Sequence, residues 1–117
     1  MSYITVAIYA VPTAKKDEFI AHSKELTPLF TKHGALAAID AWGDDVPEGE
    51  TTSFPMAVKC GADETVAYSH VIWPDKETHD ANMSNVMTAM QQATEDNPMP
   101  FDGKRMIFAS FQQVVEA

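Results

Sequence analysis

The first hydrophobic segment of the chain, Tyr3 to Val11, is rich in β-branched and aromatic residues, which predicts a β-strand. Pro12 follows directly and ends it. With a period of two, one face carries the aliphatic residues Ile4, Val6 and Ile8. The other face carries a semi-polar set, Tyr3, Thr5, Ala7 and Tyr9. We expect the aliphatic face to pack against helices and the semi-polar face to line a cleft or a partner surface.

A helical periodicity replaces this pattern after Pro12. One stripe of the predicted helix carries Phe19, Ile20, Ser23, Leu26 and Phe30. Thr13 is its expected N-cap, and Pro28, which lacks an N–H, predicts a kink or a break. His33 and Gly34 form a stop signal. We interpret His33 as a partner of the helix dipole rather than a catalyst.

The middle of the chain predicts two short strands separated by a loop. Ala35 to Trp42 lies between glycine signals and is predicted as a strand, with Asp40 and Trp42 on the same face. Asp44 to Pro55 is a long loop with four carboxylates, whose spacing does not match an EF-hand, so a solvated acidic loop is the favoured interpretation. Met56 to Lys59 is expected to add a short strand segment.

Thr65 to Trp73 is the clearest strand after the first, with Tyr68 and His70 on one face. Asp75 is a good N-cap for a second long helix. That helix carries a stripe at helical spacing, formed by His79, Met83, Val86, Met87 and Met90. Such methionines fill a core or form the flexible wall of a ligand pocket, and Met87 is our candidate for the second role.

The last segment combines a turn, two positive charges and a strand. Pro100, Asp102 and Gly103 lead into Lys104 and Arg105, and Met106 to Val115 is the predicted final strand. This arrangement places Arg105 at the beginning of that strand, where a guanidinium can bind an anionic group.

The order of elements predicts an α+β fold of the ferredoxin-like type, β-α-β-β-α-β, with residues 1–117 as one domain. We expect an antiparallel sheet in which the first and third long strands are neighbours at the centre, with both helices on one face. The other face would carry Tyr3, Tyr9, Trp42 and the aromatic or histidine side chains of the third strand. Because an exposed surface of this kind is unfavourable, we expect a homodimer, a dimeric α/β barrel.

The composition and net charge of the chain limit the classes of partner that we expect. The chain has 17 acidic and 8 basic residues and a net charge of −9, which disfavours nucleic acid and anionic membranes. It contains no apolar run long enough to span a bilayer and no leader pattern, and its one cysteine, Cys60, cannot form an internal disulfide. We therefore expect a cytoplasmic protein.

Four segments resemble the DUF1428 family of small bacterial proteins: Asp44–Gly49, Thr52–Pro55, Val71–Pro74 and Met99–Phe108. The last of these is the most specific, and the resemblance extends over nearly the whole chain. It implies a ferredoxin-like dimeric α/β barrel and no established activity. The chain departs from the family at Ala109 and Ser110, where glycines are more frequent, which implies a less open end of the last strand.

No known catalytic signature is present, and no cofactor is expected. The four histidines lack helical metal spacing, so no metal site is expected. The best candidate catalytic group is His70 with Tyr68, poised by Asp40 on a neighbouring strand. The candidate ligand-binding residues are Trp42, Tyr9, Arg105 and Met87. The alternative is structural: His70 is a satisfied interior histidine, Arg105 pairs with a carboxylate, and the aromatic residues bury area at a dimer interface.

Three functions from different classes remain open, and whether the protein is an enzyme is undecided. The first is a dimer that binds a small molecule in a sheet–helix cleft. The second is a cofactor-independent or haem-type monooxygenase or isomerase, by analogy with other dimeric α/β barrels. The third is an interaction protein whose acidic loop docks a partner. We favour the first, with the enzyme as the alternative.

Overall fold

A computed structural model describes residues 1–117 and contains four strands and three helices. The strands are β1 (Tyr3–Pro12), β2 (Ala37–Trp42), β3 (Glu64–Trp73) and β4 (Ile107–Gln112). The helices are α1 (Lys16–Lys32), the single-turn α2 (Phe54–Ala57) and α3 (Lys76–Thr94). No helix has both the length and the apolar character needed to cross a membrane.

The four strands form one antiparallel sheet in the order β2-β3-β1-β4. Its centre is the long β1–β3 pair, which runs from Tyr3 opposite Trp73 to Pro12 opposite Glu64. The prediction that the first and third long strands are neighbours is confirmed, and β2 and β4 form the two edges.

The two faces of the sheet are used in the opposite way to our expectation. The long helices cover the face that carries Tyr3, Tyr9 and Trp42, where Phe19 of α1 packs against Tyr9 and Val86 of α3 packs against Trp73. The small residues on this face, among them Ala7 and Ala67, make room for the helices and the aromatic rings. The prediction that Tyr3, Tyr9 and Trp42 lie on an uncovered face was therefore wrong.

The second face, which we call the open face, carries the aliphatic set instead. It contains Ile4, Val6 and Ile8 of β1, Ile39 and Ala41 of β2, Tyr68, His70 and Ile72 of β3, and Ile107 and Phe111 of β4. One end of it is covered by the segment after β2, through a small core in which Val58 packs against Ala10 and Val66. The rest has no long helix over it.

The beginning of α1 differs from the prediction because Thr13 is used by the sheet. Its N–H donates to the Asp63 carbonyl (2.9 Å) and its hydroxyl lies 2.7 Å from that of Thr65. Residues 13–15 therefore form a 3-10 turn, and α1 begins at Lys16 without a side-chain cap. The helix also continues through Pro28 as far as Lys32, so a break at the proline was wrong.

The C-terminus of α1 follows the stop signal in the sequence. Gly34 has a φ of +110°, and the N–H groups of Gly34 and Ala35 donate to the carbonyls of Thr31 and Phe30. This is the Schellman arrangement, which satisfies carbonyls that a helix end leaves free. His33 Nδ1 lies 2.8 Å from the Leu29 carbonyl, so this histidine serves the helix end as predicted.

One predicted strand segment and the predicted end of the last strand were wrong. Residues 56–59 do not extend; they belong to α2 and the turn after it, because Ser53 caps the Met56 N–H (3.1 Å) and a proline occupies the first turn. The last strand ends at Gln112 rather than Val115. Gln112 pairs with Tyr3, the first residue of β1, so the sheet offers no partner strand beyond that point.

Candidate functional site

A groove of about 620 Å³ lies between α1 and the edge strand β2. It exists because α1 buries Phe19 and Leu26 against the sheet, while β2 has no neighbouring strand on its outer side. Its lining residues come from these two elements: Phe19, Ile20, Ser23, Lys24, Thr27, Pro28 and Thr31 of α1, and Ala38, Ile39 and Asp40 of β2. A volume of this size accommodates a small organic molecule.

Asp40 is the only carboxylate in this groove, and hydroxyl groups hold it in place. The Thr27 hydroxyl donates to Asp40 Oδ2 (2.9 Å), and the Ser69 hydroxyl donates to Oδ1. Asp40 and Ser69 are directly opposed in the β2–β3 register, so the sheet itself brings them together. The carboxylate is half-buried and faces the helix-covered side.

The hydrogen-bonded chain continues from Ser69 to Tyr9, whose hydroxyl lies 2.6 Å from Ser69 Oγ. Since the Ser69 hydrogen is used by Asp40, Tyr9 is the donor to Ser69. Burial, together with the negative charge of Asp40, raises the pKa of Tyr9 far above its usual value. The phenol therefore stays neutral and donates, and the chain ends in the Asp40 carboxylate at the groove.

The predicted catalytic group is only partly assembled. Tyr68 and His70 lie together on the open face, with the Tyr68 hydroxyl 3.0 Å from His70 Nδ1. Asp40 is on the other face, because it pairs with Ser69 whereas His70 pairs with Ile39. The sheet separates the carboxylate from the imidazole, so the hypothesis that Asp40 poises His70 was wrong. The same separation keeps Tyr9 away from His70.

A second, smaller groove of about 190 Å³ lies next to this pair. It is formed where the segment after β2 crosses the open face, and it is lined by Ile8, Ala41, Trp42, Gly43, Val46, Phe54, Val66 and Tyr68. Apart from the Tyr68 hydroxyl and the Trp42 indole N–H, the side chains that line it are apolar.

Arg105 is held by carboxylates and does not reach the α1–β2 groove. Its guanidinium forms two parallel bonds with Glu64, both 2.7 Å, and also donates to the Lys59 carbonyl and to Asp102. The bonds from Arg105, and one from the Gly61 N–H, lower the pKa of Glu64 to about 2. Arg105 thus forms a clasp between the segment before β4 and the beginning of β3.

This clasp positions an aromatic residue over the core. Phe101, four residues before Arg105, stacks on Tyr9 with ring centroids 4.4 Å apart, and the adjacent Pro100 is buried. The most specific segment of the sequence resemblance therefore packs on Tyr9 through Phe101 and contributes no residue to the lining of the α1–β2 groove.

The remaining predicted ligand-binding residues lie outside the groove. Trp42 contacts Phe19 (ring centroids 5.6 Å apart) and has the Lys16 ammonium 5.7 Å from its ring. Met87 is 56% exposed on α3, while its neighbour Val86 is the stripe residue that is fully buried. No three side chains of His, Cys, Asp or Glu are grouped so that they could hold a metal ion.

Sequence reasoning missed Thr27 and Ser69, the two hydroxyl donors to Asp40. A signal for Ser69 was present: it shares a strand face with Ala67 and Val71, and a hydroxyl among covered apolar residues needs a hydrogen-bond partner. Thr27 gives no comparable signal, because only the docking of α1 against β2 brings it to Asp40.

These features define an α+β protein with a four-stranded antiparallel sheet and a groove between α1 and β2 that contains one carboxylate. The chain belongs to the family described as "Protein of unknown function (DUF1428)", whose model matches residues 2–103. It is 38% identical over 116 residues to the uncharacterized protein YbaA of Escherichia coli K12, covering 99% of both chains. The YbaA protein of Shigella flexneri matches to the same extent.

Among solved structures, the de novo designed protein Foldit4 covers 97% of this chain and 98% of its own, with a TM-score of 0.47 and 7% identity.

Proposed function

We propose that this protein is a cytoplasmic homodimer of the dimeric α/β-barrel type that binds a small molecule in the α1–β2 groove of each subunit. The observation that carries the proposal is the groove of about 620 Å³ that combines a single anchored carboxylate, Asp40, with apolar side chains such as Phe19 and Ile20. Concave, mostly apolar sites with a few convergent polar groups are the usual form of small-molecule sites.

The open face supports the dimer. The strand order β2-β3-β1-β4 is the order expected of a ferredoxin-like chain, and it leaves one face without long helices. On that face Ile39 and Ile107 are each 44% exposed, and Phe111 is 56% exposed. A second copy packed on this surface would remove these side chains from water, and apolar burial of this kind drives association.

Two phenylalanines of β4 provide a matched test of the dimer. Phe111 pairs with Ile4 on the open face, whereas Phe108 pairs with Ala7 on the opposite face and is 71% exposed. We expect Phe111→Glu to shift the protein from dimer to monomer in sedimentation velocity, while Phe108→Glu leaves the dimer intact. A monomeric wild type, or equal effects of the two variants, would contradict dimerisation through the open face.

Native mass spectrometry of protein purified without added ligand tests the binding function. We expect a dimer carrying extra mass, and unfolding should release a compound that binds again to protein depleted of it. A dimer without extra mass that also fails to bind small molecules at the groove would refute the binding function and leave the dimer standing.

An acid–base enzyme of the cofactor-independent isomerase or oxygenase class is the second candidate. The Tyr9–Ser69–Asp40 chain supports it, because hydrogen-bonded hydroxyls that end in a carboxylate can move a proton at a bound molecule. In this case the compound released from the protein would be converted by fresh wild type, and Ser69→Ala would slow the conversion. Unchanged compound after prolonged incubation would rule against catalysis.

A further inference from the structure

The geometry around Asp40 points to the chemical class of the ligand. We propose that the α1–β2 groove binds an organic monocation, an ammonium group on an apolar carbon skeleton, with its nitrogen on Asp40. This inference rests on the proposed binding function of the groove and makes it specific.

The first step is the charge of Asp40. Its two oxygens accept hydrogen bonds from Thr27 and Ser69, which are neutral donors, so these bonds leave the negative charge in place. No Lys, Arg or His nitrogen lies within 4.0 Å of it, and the ion pairs of the protein are formed by other carboxylates. A half-buried carboxylate without a counter-charge is the group that gains most from a bound cation.

The second step is the surroundings of that charge. The other polar side chains in the groove are the hydroxyls of Ser23, Thr27 and Thr31 and the ammonium of Lys24. Hydroxyls accept hydrogen bonds from an ammonium, whereas Lys24 would repel a second positive charge and so limits the ligand to one. Ca²⁺ and Mg²⁺ require about six oxygen ligands, and one carboxylate falls short of that set.

The third step is the apolar part of the groove. Phe19 and Ile20 of α1 and Ala38 of β2 provide apolar side chains in its lining. These side chains would contact a carbon skeleton attached to the ammonium and bury it from water. The net charge of −9 adds a long-range attraction for cations and a repulsion for anions.

Three probes that share a phenyl ring and differ in charge test the inference: phenethylammonium, phenethyl alcohol and hydrocinnamate. Each is titrated into isotope-labelled full-length protein while backbone amide shifts of α1 and β2 are followed by NMR. We expect phenethylammonium to bind about tenfold or more tightly than the alcohol, because charge-assisted bonds are stronger than neutral ones. Hydrocinnamate should be the weakest of the three.

Two pairs of variants locate the effect. Asp40→Asn should weaken phenethylammonium about tenfold or more and leave the alcohol unchanged. Asp45→Asn, which removes the same charge from the exposed loop, should bind it like wild type. Lys24→Gln should tighten phenethylammonium, whereas Lys32→Gln at the end of α1 should not. If Asp40→Asn does not fold, the comparison of Lys24→Gln with Lys32→Gln tests the inference instead.

The outcomes separate the ligand class from the binding function. If the alcohol or hydrocinnamate shifts the groove amides and binds as tightly as phenethylammonium, the monocation is wrong while the groove remains a binding site. If none of the probes shifts these amides, and the protein as purified carries no bound compound, both the monocation inference and the proposed binding function are refuted. Equal affinity of phenethylammonium for wild type and Asp40→Asn would also overturn the inference.

Discussion

The ion pair between Glu64 and Arg105 gives the sharpest test of how the segment before β4 is held. Glu64→Gln keeps the shape of the side chain and removes its charge. In the wild type the Glu64 carboxylate accepts both Arg105 bonds and one from the Gly61 N–H (2.8 Å). The variant keeps at most one bond to the guanidinium and presents an amide donor to another donor.

The magnitude follows from the pKa of Glu64, which the folded state lowers from 4.5 to about 2. The full shift corresponds to about 3.5 kcal/mol of stability, taking about 1.4 kcal/mol per pKa unit. The side chains of Arg105 and Glu64 are 27% and 14% exposed, so water screens the pair and the expected loss is smaller. We expect Glu64→Gln to lower the free energy of unfolding by about 1 to 2 kcal/mol.

The sign of the pH dependence is fixed by the direction of the shift. Because the folded-state pKa of Glu64 is below the unfolded value, the contribution is complete above pH 4.5 and is lost as the pH falls towards about 2. Wild type and Glu64→Gln should therefore differ in stability at pH 7 and converge between pH 4.5 and pH 2.

Urea unfolding followed by circular dichroism at several pH values measures both effects. Glu48→Gln is the matched control, since it removes the same charge from the acidic loop, where the side chain is exposed. Equal stability of Glu64→Gln and Glu48→Gln at pH 7 would refute the stabilising role of the clasp. A difference between wild type and Glu64→Gln that stays constant down to pH 2 would refute the assigned pKa.

Two further predictions test the end of α1 and the hydrogen-bonded chain by urea unfolding. Gly34→Ala should cost about 1 to 2 kcal/mol, because Gly34 has a φ of +110° and a Cβ there would lie 3.2 Å from a side-chain carbon of α3. Gly103→Ala should lower the free energy of unfolding far less, because a Cβ at this position has no atom within 4 Å. Equal losses in the two variants would contradict backbone strain at position 34. Tyr9→Phe should cost about 1 kcal/mol through its lost bond to Ser69, whereas Tyr3→Phe removes a hydroxyl without a side-chain hydrogen bond and should be nearly neutral. If Tyr9→Phe and Tyr3→Phe have the same free energy of unfolding, the hydrogen bond between Tyr9 and Ser69 does not stabilise the fold.

Local signals in the sequence were sufficient for the number and the order of the long elements. The alternation in Tyr3–Val11 and Thr65–Trp73, the Asp75 cap and the Gly34 stop each act over a few residues, so each can be interpreted without knowing the rest of the chain. Asp75 accepts from the Thr78 N–H at 2.7 Å, as its position predicted. The element order then implied the neighbouring central strands.

The tertiary structure decided which face of the sheet the helices cover, and with it the site. Both faces of β1 are apolar enough to be buried, so the pattern alone does not choose between Ile4, Val6 and Ile8 and the set containing Tyr9. The choice depends on how the small residues and rings of one face fit α1 and α3, a packing property of the whole domain. It placed Asp40 with Thr27 and Ser69 and left His70 on the open face, because opposite faces of a strand are separated by the sheet itself.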